Sequence, residues 1–319
     1  MIMRILITGI TGFAGSYLAE ALLTDRSVEL HGTSRDQEWP ASCAHLAERV
    51  KFRTCDLCDA EAVMAVIRES LPDQVYHLAG FAHAGQSFHD PDAAWAGNLT
   101  ATRRLYEAIA RWGGRPRVLF VGSGLIYGDV CGPDNPPDED APFHPNSPYA
   151  SSKAAADLVS YQYTVAPGLD IVRVRPFNHI GPRQAPLFAV AHFAQQIAAI
   201  ERSTCPPVLE TGDLRPRRDL TDVRDMVRAY MLVMERGRTG RAYNAGTGTI
   251  QSMQEVLERL LAQARVKIET RQQADLMRIA ETNVVRANAT RLRQEIGWRP
   301  QIPLQQTLTD ILEYWRQQP

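Results

Sequence analysis

The sequence predicts an α/β protein built on a doubly wound parallel sheet. Short apolar runs of buried-strand type alternate with amphipathic stretches, and a glycine-rich turn follows the first run at once. No low-complexity linker or internal repeat interrupts the chain. Strand and helix taking turns imply right-handed crossovers, which put helices on both faces of the sheet.

The first element is the apolar run Met3-Arg4-Ile5-Leu6-Ile7-Thr8, followed by Gly9-Ile10-Thr11-Gly12-Phe13-Ala14-Gly15 opening an amphipathic segment to Leu23. A strand, a glycine turn and a helix in that order suit a dinucleotide: the glycines permit close backbone approach, and the helix N-terminus faces the pyrophosphate. Further strands are expected at 28–33, 50–54, 74–78 and 118–121, with helical patterns at 59–69 and about 92–112. Ser34 and Arg35 follow the second strand, where an acid would normally hold the adenosine ribose. An arginine there can accept a 2′-phosphate instead, which favours NADP(H), with NAD(H) the alternative. Asp56, after the third strand, suits the adenine amino group, and capping the next helix explains it about as well.

The fifth strand runs into Gly122-Ser123-Gly124-Leu125, so Ser123 lies at a strand's carboxyl end, where sites of such sheets gather. Next comes Ser147-Pro148-Tyr149-Ala150-Ser151-Ser152-Lys153. Ser147 is suited to cap a helix and Pro148 to its first position, which puts Tyr149 in the first turn and Lys153 beside it on the same face. A phenol next to a fixed ammonium is expected to titrate below its ordinary value of about 10, as a general acid or base does.

Composition sets the class. The 319 residues suffice for a sizeable core and two lobes, and 45% hydrophobic residues with a net charge of −1 leave no surplus for nucleic acid or an anionic membrane. Ile5-Leu6-Ile7 is too short for a signal peptide or a membrane span, so the expected location is the cytoplasm. The five cysteines, Cys43, Cys55, Cys58, Cys131 and Cys205, form an odd, scattered set. Cys55 and Cys58 lack the second pair a zinc site needs, and no metal is expected.

Taken together the residues resemble the extended short-chain dehydrogenase/reductase family, in its nucleotide-sugar-modifying branch. The likeness rests on the glycine turn, His77-Leu78-Ala79-Gly80, Ser123 with Tyr127-Gly128, Tyr149 with Lys153, and Arg175-Pro176-Phe177-Asn178. It implies a Rossmann domain at 1–176 and a smaller substrate-binding lobe mainly at 177–319, some segments of which return to the first. It also implies a catalytic triad of Ser123, Tyr149 and Lys153, with Tyr149 and Lys153 also touching the cofactor. Gly9, Gly12, Phe13, Gly15, Arg35, Asp56, Leu57, Leu78 and Ala79 complete the expected cofactor contacts.

Downstream, Asn178-His179-Ile180-Gly181-Pro182-Arg183-Gln184, Thr211-Gly212-Asp213-Leu214 and Arg218-Asp219-Leu220-Thr221-Asp222 resemble family members acting on GDP-linked 6-deoxyhexoses. That likeness places Ser87, Asn178, Arg183, Arg218, Arg278 and Glu281 on the GDP-sugar. Dehydratases of this group carry a glutamate two residues after the catalytic Ser or Thr; this chain has Leu125, which can neither accept nor donate a proton. The expectation is therefore a reductase of a 4-keto-6-deoxy sugar, with a 4-epimerase or dehydratase as alternatives. A non-catalytic nucleotide-binding member is the remaining reading, and intact Ser123, Tyr149 and Lys153 argue against it. The family's habit of pairing the helices around 92–112 and 147–165 implies a homodimer or homotetramer.

Overall fold

The computed structural model describes residues 2–128, 134–273 and 284–319. Among them, seven strands form one parallel sheet. They are β1 (Met3–Thr8), β2 (Val28–Ser34), β3 (Lys51–Thr54), β4 (Gln74–His77), β5 (Arg117–Val121), β6 (Ile171–Pro176) and a last strand, Ala242–Ala245. Their spatial order is 3-2-1-4-5-6, with Ala242–Ala245 outside β6. The order reverses between β1 and β4, and a ligand crevice belongs at that point, outside the strands' carboxyl ends.

Side chains alternate across the sheet as the period of a strand requires. Ile5 and Ile7 of β1 join one core with helix α1 (Phe13–Leu22) and the later helix Val223–Arg236. Leu6 joins the opposite core with α2 (Ala60–Ser70), α4 (Ala101–Trp112) and α5 (Pro148–Val165). The chain thus returns to the sheet through residues 223–245 after entering the lobe. Helices Ala189–Glu201, Met253–Leu261 and Leu304–Gln317 pack around a core of the lobe's own.

The helical stretch expected at about 92–112 is broken. It runs as α3 (Pro91–Trp95), one π-turn over Ala96–Thr100, and then α4. The widened turn carries Asn98 inward, where it is 1% exposed and its Nδ2 donates to Ser152 Oγ of α5 at 2.9 Å. Such single π-turns are often found at functional sites.

Candidate active site

The glycine turn closes against the end of β4. Gly9 has φ +74°, a conformation glycine adopts without strain, and a Cβ there would lie 2.9 Å from the Ala79 backbone. A Cβ on Gly15 would run into the Gly9 carbonyl. No side chain caps α1 at Gly12, so its first amides stay directed at the crevice. Shape and donors both fit the pyrophosphate of a dinucleotide.

His77 pins the neighbouring strand ends. It is 1% exposed and bonded to Thr8 Oγ1 at 2.8 Å and Thr102 Oγ1 at 2.9 Å. Burial and then the charge of Lys153 push its pKa down to about 3, so the ring is neutral.

Arg35 stands exposed just beyond β2 and makes no hydrogen bond or ion pair among the described residues. Asp56 is exposed, its carboxylate accepting the Cys58 N–H at 2.9 Å. The helix-capping alternative for Asp56 fails, because Asp59 caps α2 by accepting from Glu61 N and Ala62 N. Leu57 is buried, while Leu78 and Ala79 are half-buried at the carboxyl end of β4.

Ser147 caps α5 as expected, its hydroxyl accepting the Ala150 N–H at 3.2 Å with Pro148 in the first position. Tyr149 is 9% exposed and lies close to Ser123, whose hydroxyl accepts the Leu125 N–H at 3.1 Å. Lys153, 7% exposed, donates to the Val121 carbonyl at 3.0 Å. Burial pushes its pKa down to about 8.

The expected fall in the Tyr149 pKa is not observed. Burial raises it, and the nearby Ser123 hydroxyl only partly offsets that. The reason is local: the Lys153 ammonium is held by the Val121 carbonyl, and desolvation of the phenolate prevails.

Asn98 joins this group and was not anticipated from the sequence. A Cβ at Gly80 would lie 2.6 Å from Asn98 Oδ1 and 3.3 Å from Lys153 Nζ, so both atoms converge on one small space. Asn98 Oδ1 is buried and has no partner among the described residues. The available signal was an asparagine inside a helical pattern, where its side chain competes with the backbone and needs a reason to be there.

Two of the residues expected on the sugar nucleotide are occupied elsewhere. Ser87 is 0% exposed; its hydroxyl accepts the Tyr149 N–H at 3.0 Å and donates to Ala84 O at 2.6 Å. Both of these partners lie inside the protein. Arg183 grips Glu20 of α1 with two hydrogen bonds, at 2.6 and 2.9 Å, and its guanidinium stacks 3.7 Å from the Tyr17 ring centroid. It ties the loop after β6 to α1.

Asn178 follows β6 directly, and its buried Oδ1 finds no partner among the described residues. Arg218 is half-buried on the lobe strand Arg217–Asp219, one guanidinium nitrogen donating to Arg217 O at 3.1 Å. Arg278 and Glu281 lie outside the described residues.

The family model for GDP-mannose 4,6 dehydratase matches residues 6–311. The chain belongs to that family of extended short-chain dehydrogenases/reductases. It is 34% identical to a GDP-6-deoxy-D-mannose reductase of Pseudomonas aeruginosa, covering 99% of this chain and 98% of that one. Among solved structures, RMD from Pseudomonas aeruginosa complexed with NADPH superposes with a TM-score of 0.83 at 32% identity, over 98% and 99% of the two chains. UDP-glucose 4-epimerase of Thermus thermophilus in complex with NAD gives 0.87 at 30% identity, over 99% of each.

Within this dehydratase and reductase family, Leu125 is the informative position. Its side chain is half-buried and packs on an apolar cluster that includes Ile126, Phe177 and Val285. No proton can be exchanged there.

Proposed function

We propose that the protein is a nicotinamide-dependent reductase of the C4 ketone in GDP-4-keto-6-deoxy-D-mannose, giving GDP-D-rhamnose or its C4 epimer. One observation carries the choice of reduction over dehydration: the residue two after Ser123 is Leu125, packed against Ile126, Phe177 and Val285, where eliminating water across C5 and C6 needs an acid/base group. Reduction of the ketone needs only a proton donor at O4, which the Tyr149 phenol supplies.

The bound cofactor supplies hydride. Tyr149 donates its proton to O4 as charge develops there, and Ser123, close to the phenol, holds that oxygen. Lys153 holds the nicotinamide ribose and fixes the phenol's surroundings. Asn178, Arg218, Arg278 and Glu281 are assigned to the GDP moiety; Ser87 and Arg183 are not. Arg35, without a partner among the described residues, favours NADP(H) over NAD(H) through the 2′-phosphate. The exposed apolar stripe of Leu158, Tyr161 and Val165 on α5, beside Trp95 of α3, supports pairing of two copies in a homodimer.

Supplied with the keto-sugar and NADPH, the protein should consume both one to one, with the product identified by chromatography. Given GDP-mannose and oxidised cofactor it should form no keto-sugar; robust dehydration would end the reductase reading. Likeness to the Thermus thermophilus epimerase keeps a 4-epimerase as second reading, distinguished by NAD retained through purification and no net cofactor consumption.

A further inference from the structure

Helix α5 cannot satisfy its own first turn. Pro148 has no N–H, Ser147 Oγ takes the Ala150 N–H, and Ser147 O takes that of Ser151. The remaining donor is the Tyr149 N–H, and it is met from another element by Ser87 Oγ at 3.0 Å. On the other side of the same residue, Ser152 Oγ donates to Tyr149 O at 2.9 Å and is itself held by Asn98. Both polar groups of the Tyr149 backbone are therefore gripped by buried hydroxyls.

Ser87 in turn belongs to a braced loop. Its N–H donates to His83 O and Ala84 O, each at 3.2 Å, and the Gln86 N–H donates to His83 Nδ1 at 2.9 Å. The His83 ring packs 5.4 Å from that of Phe188, at the start of the lobe's first helix. A continuous set of contacts thus runs from the lobe through this loop to the reacting phenol.

We propose that Ser87 is a positioning residue, which fixes the first turn of α5, and with it the Tyr149 hydroxyl, to the loop braced against the lobe. This rests on Tyr149 being the proton donor. Productive geometry tolerates displacements of only about 0.5 Å, and a phenol hung on an unanchored helix end exceeds that readily.

The test is a cycle of Ser87→Ala and Tyr149→Phe, with kcat and both KM values measured for the keto-sugar and NADPH. Ser87→Ala should lower kcat about tenfold with both KM values within about twofold, and Ser87→Thr, which keeps the hydroxyl, should recover most of it. In the Tyr149→Phe background the same change should cost nothing further, because the group it positions is gone. A tenfold rise in the sugar KM at unchanged kcat would make Ser87 a sugar contact and overturn the proposal, as would an undiminished loss in the Tyr149→Phe background. Full turnover in Tyr149→Phe alone would instead remove the proton-donor reading. If Ser87→Ala does not fold, Ser87→Cys, a weaker acceptor of similar shape, should show a smaller loss in kcat alone; loss in KM alone would refute.

Discussion

Replacing Lys153 with methionine should make the protein more stable and inactive at once. Burial lowers this lysine from its ordinary 10.5 to about 8. At 1.36 kcal/mol per pH unit of that gap, keeping the ammonium inside the fold costs ~3 kcal/mol at neutral pH. Methionine keeps the length of the stem and removes the charge, but it strands the Val121 carbonyl, whose lost hydrogen bond takes back ~1–2 kcal/mol. The net expectation for Lys153→Met at pH 7 is a gain of ~1–2 kcal/mol, or roughly 2–4 °C in Tm.

The sign with pH follows from proton counting. Between about 8 and 10.5 the unfolded chain holds the Lys153 proton and the folded one does not, so wild-type stability rises with pH relative to the variant. Denaturant unfolding of both proteins at pH 7 and pH 10 should show the variant's advantage shrinking and then reversing. A gap that does not change with pH, or a variant clearly weaker than wild type at pH 7, would refute the reasoning. Turnover should fall by about 10²-fold or more in either case, as active sites trade stability for function.

Tyr149→Phe should lower turnover by about 10²-fold or more with GDP-sugar affinity nearly intact, read from steady-state kinetics and ligand titration. Arg35→Ala should raise the KM for NADPH far more than that for NADH; equal effects on both would remove the phosphate role. Arg183→Met should destabilise the fold by ~1–2 kcal/mol in denaturant unfolding, through loss of the Glu20 pair and the Tyr17 stacking, while the KM for the GDP-sugar stays within about threefold.

The scaffold was legible because its signals are local. Ile5, Leu6 and Ile7 read as a buried strand whichever core they enter, and the turn from Gly9 to Gly15 has few other uses. Ser147-Pro148 located the start of α5 for the same reason. The π-turn at Ala96–Thr100 was not legible, since the partner that draws Asn98 inward is Ser152, 54 positions away. The Tyr149 pKa failed similarly: four-residue spacing places Lys153 beside the phenol but says nothing of the Val121 carbonyl that claims its ammonium. Asp56 and Asp59 are equally good caps by type, and only the local path of the chain selects Asp59.

The sugar-nucleotide candidates differ in whether their hydrogen bonds are already spent. Ser87 and Arg183 have the right chemistry for a sugar and a phosphate, yet each is satisfied by groups of the protein, and breaking those bonds to serve a ligand would cost about what the new bonds return. Asn178 and Asn98 are the opposite case, each keeping a buried Oδ1 without a partner among the described residues. A buried polar atom left unpaired costs ~1–3 kcal/mol, and a fold carries that cost where a ligand or water later removes it. Asn98 Oδ1 stands beside Lys153 Nζ, and Asn178 lies two residues past the end of β6. On this criterion Asn178 and Asn98 are better candidates for a ligand than Ser87 and Arg183.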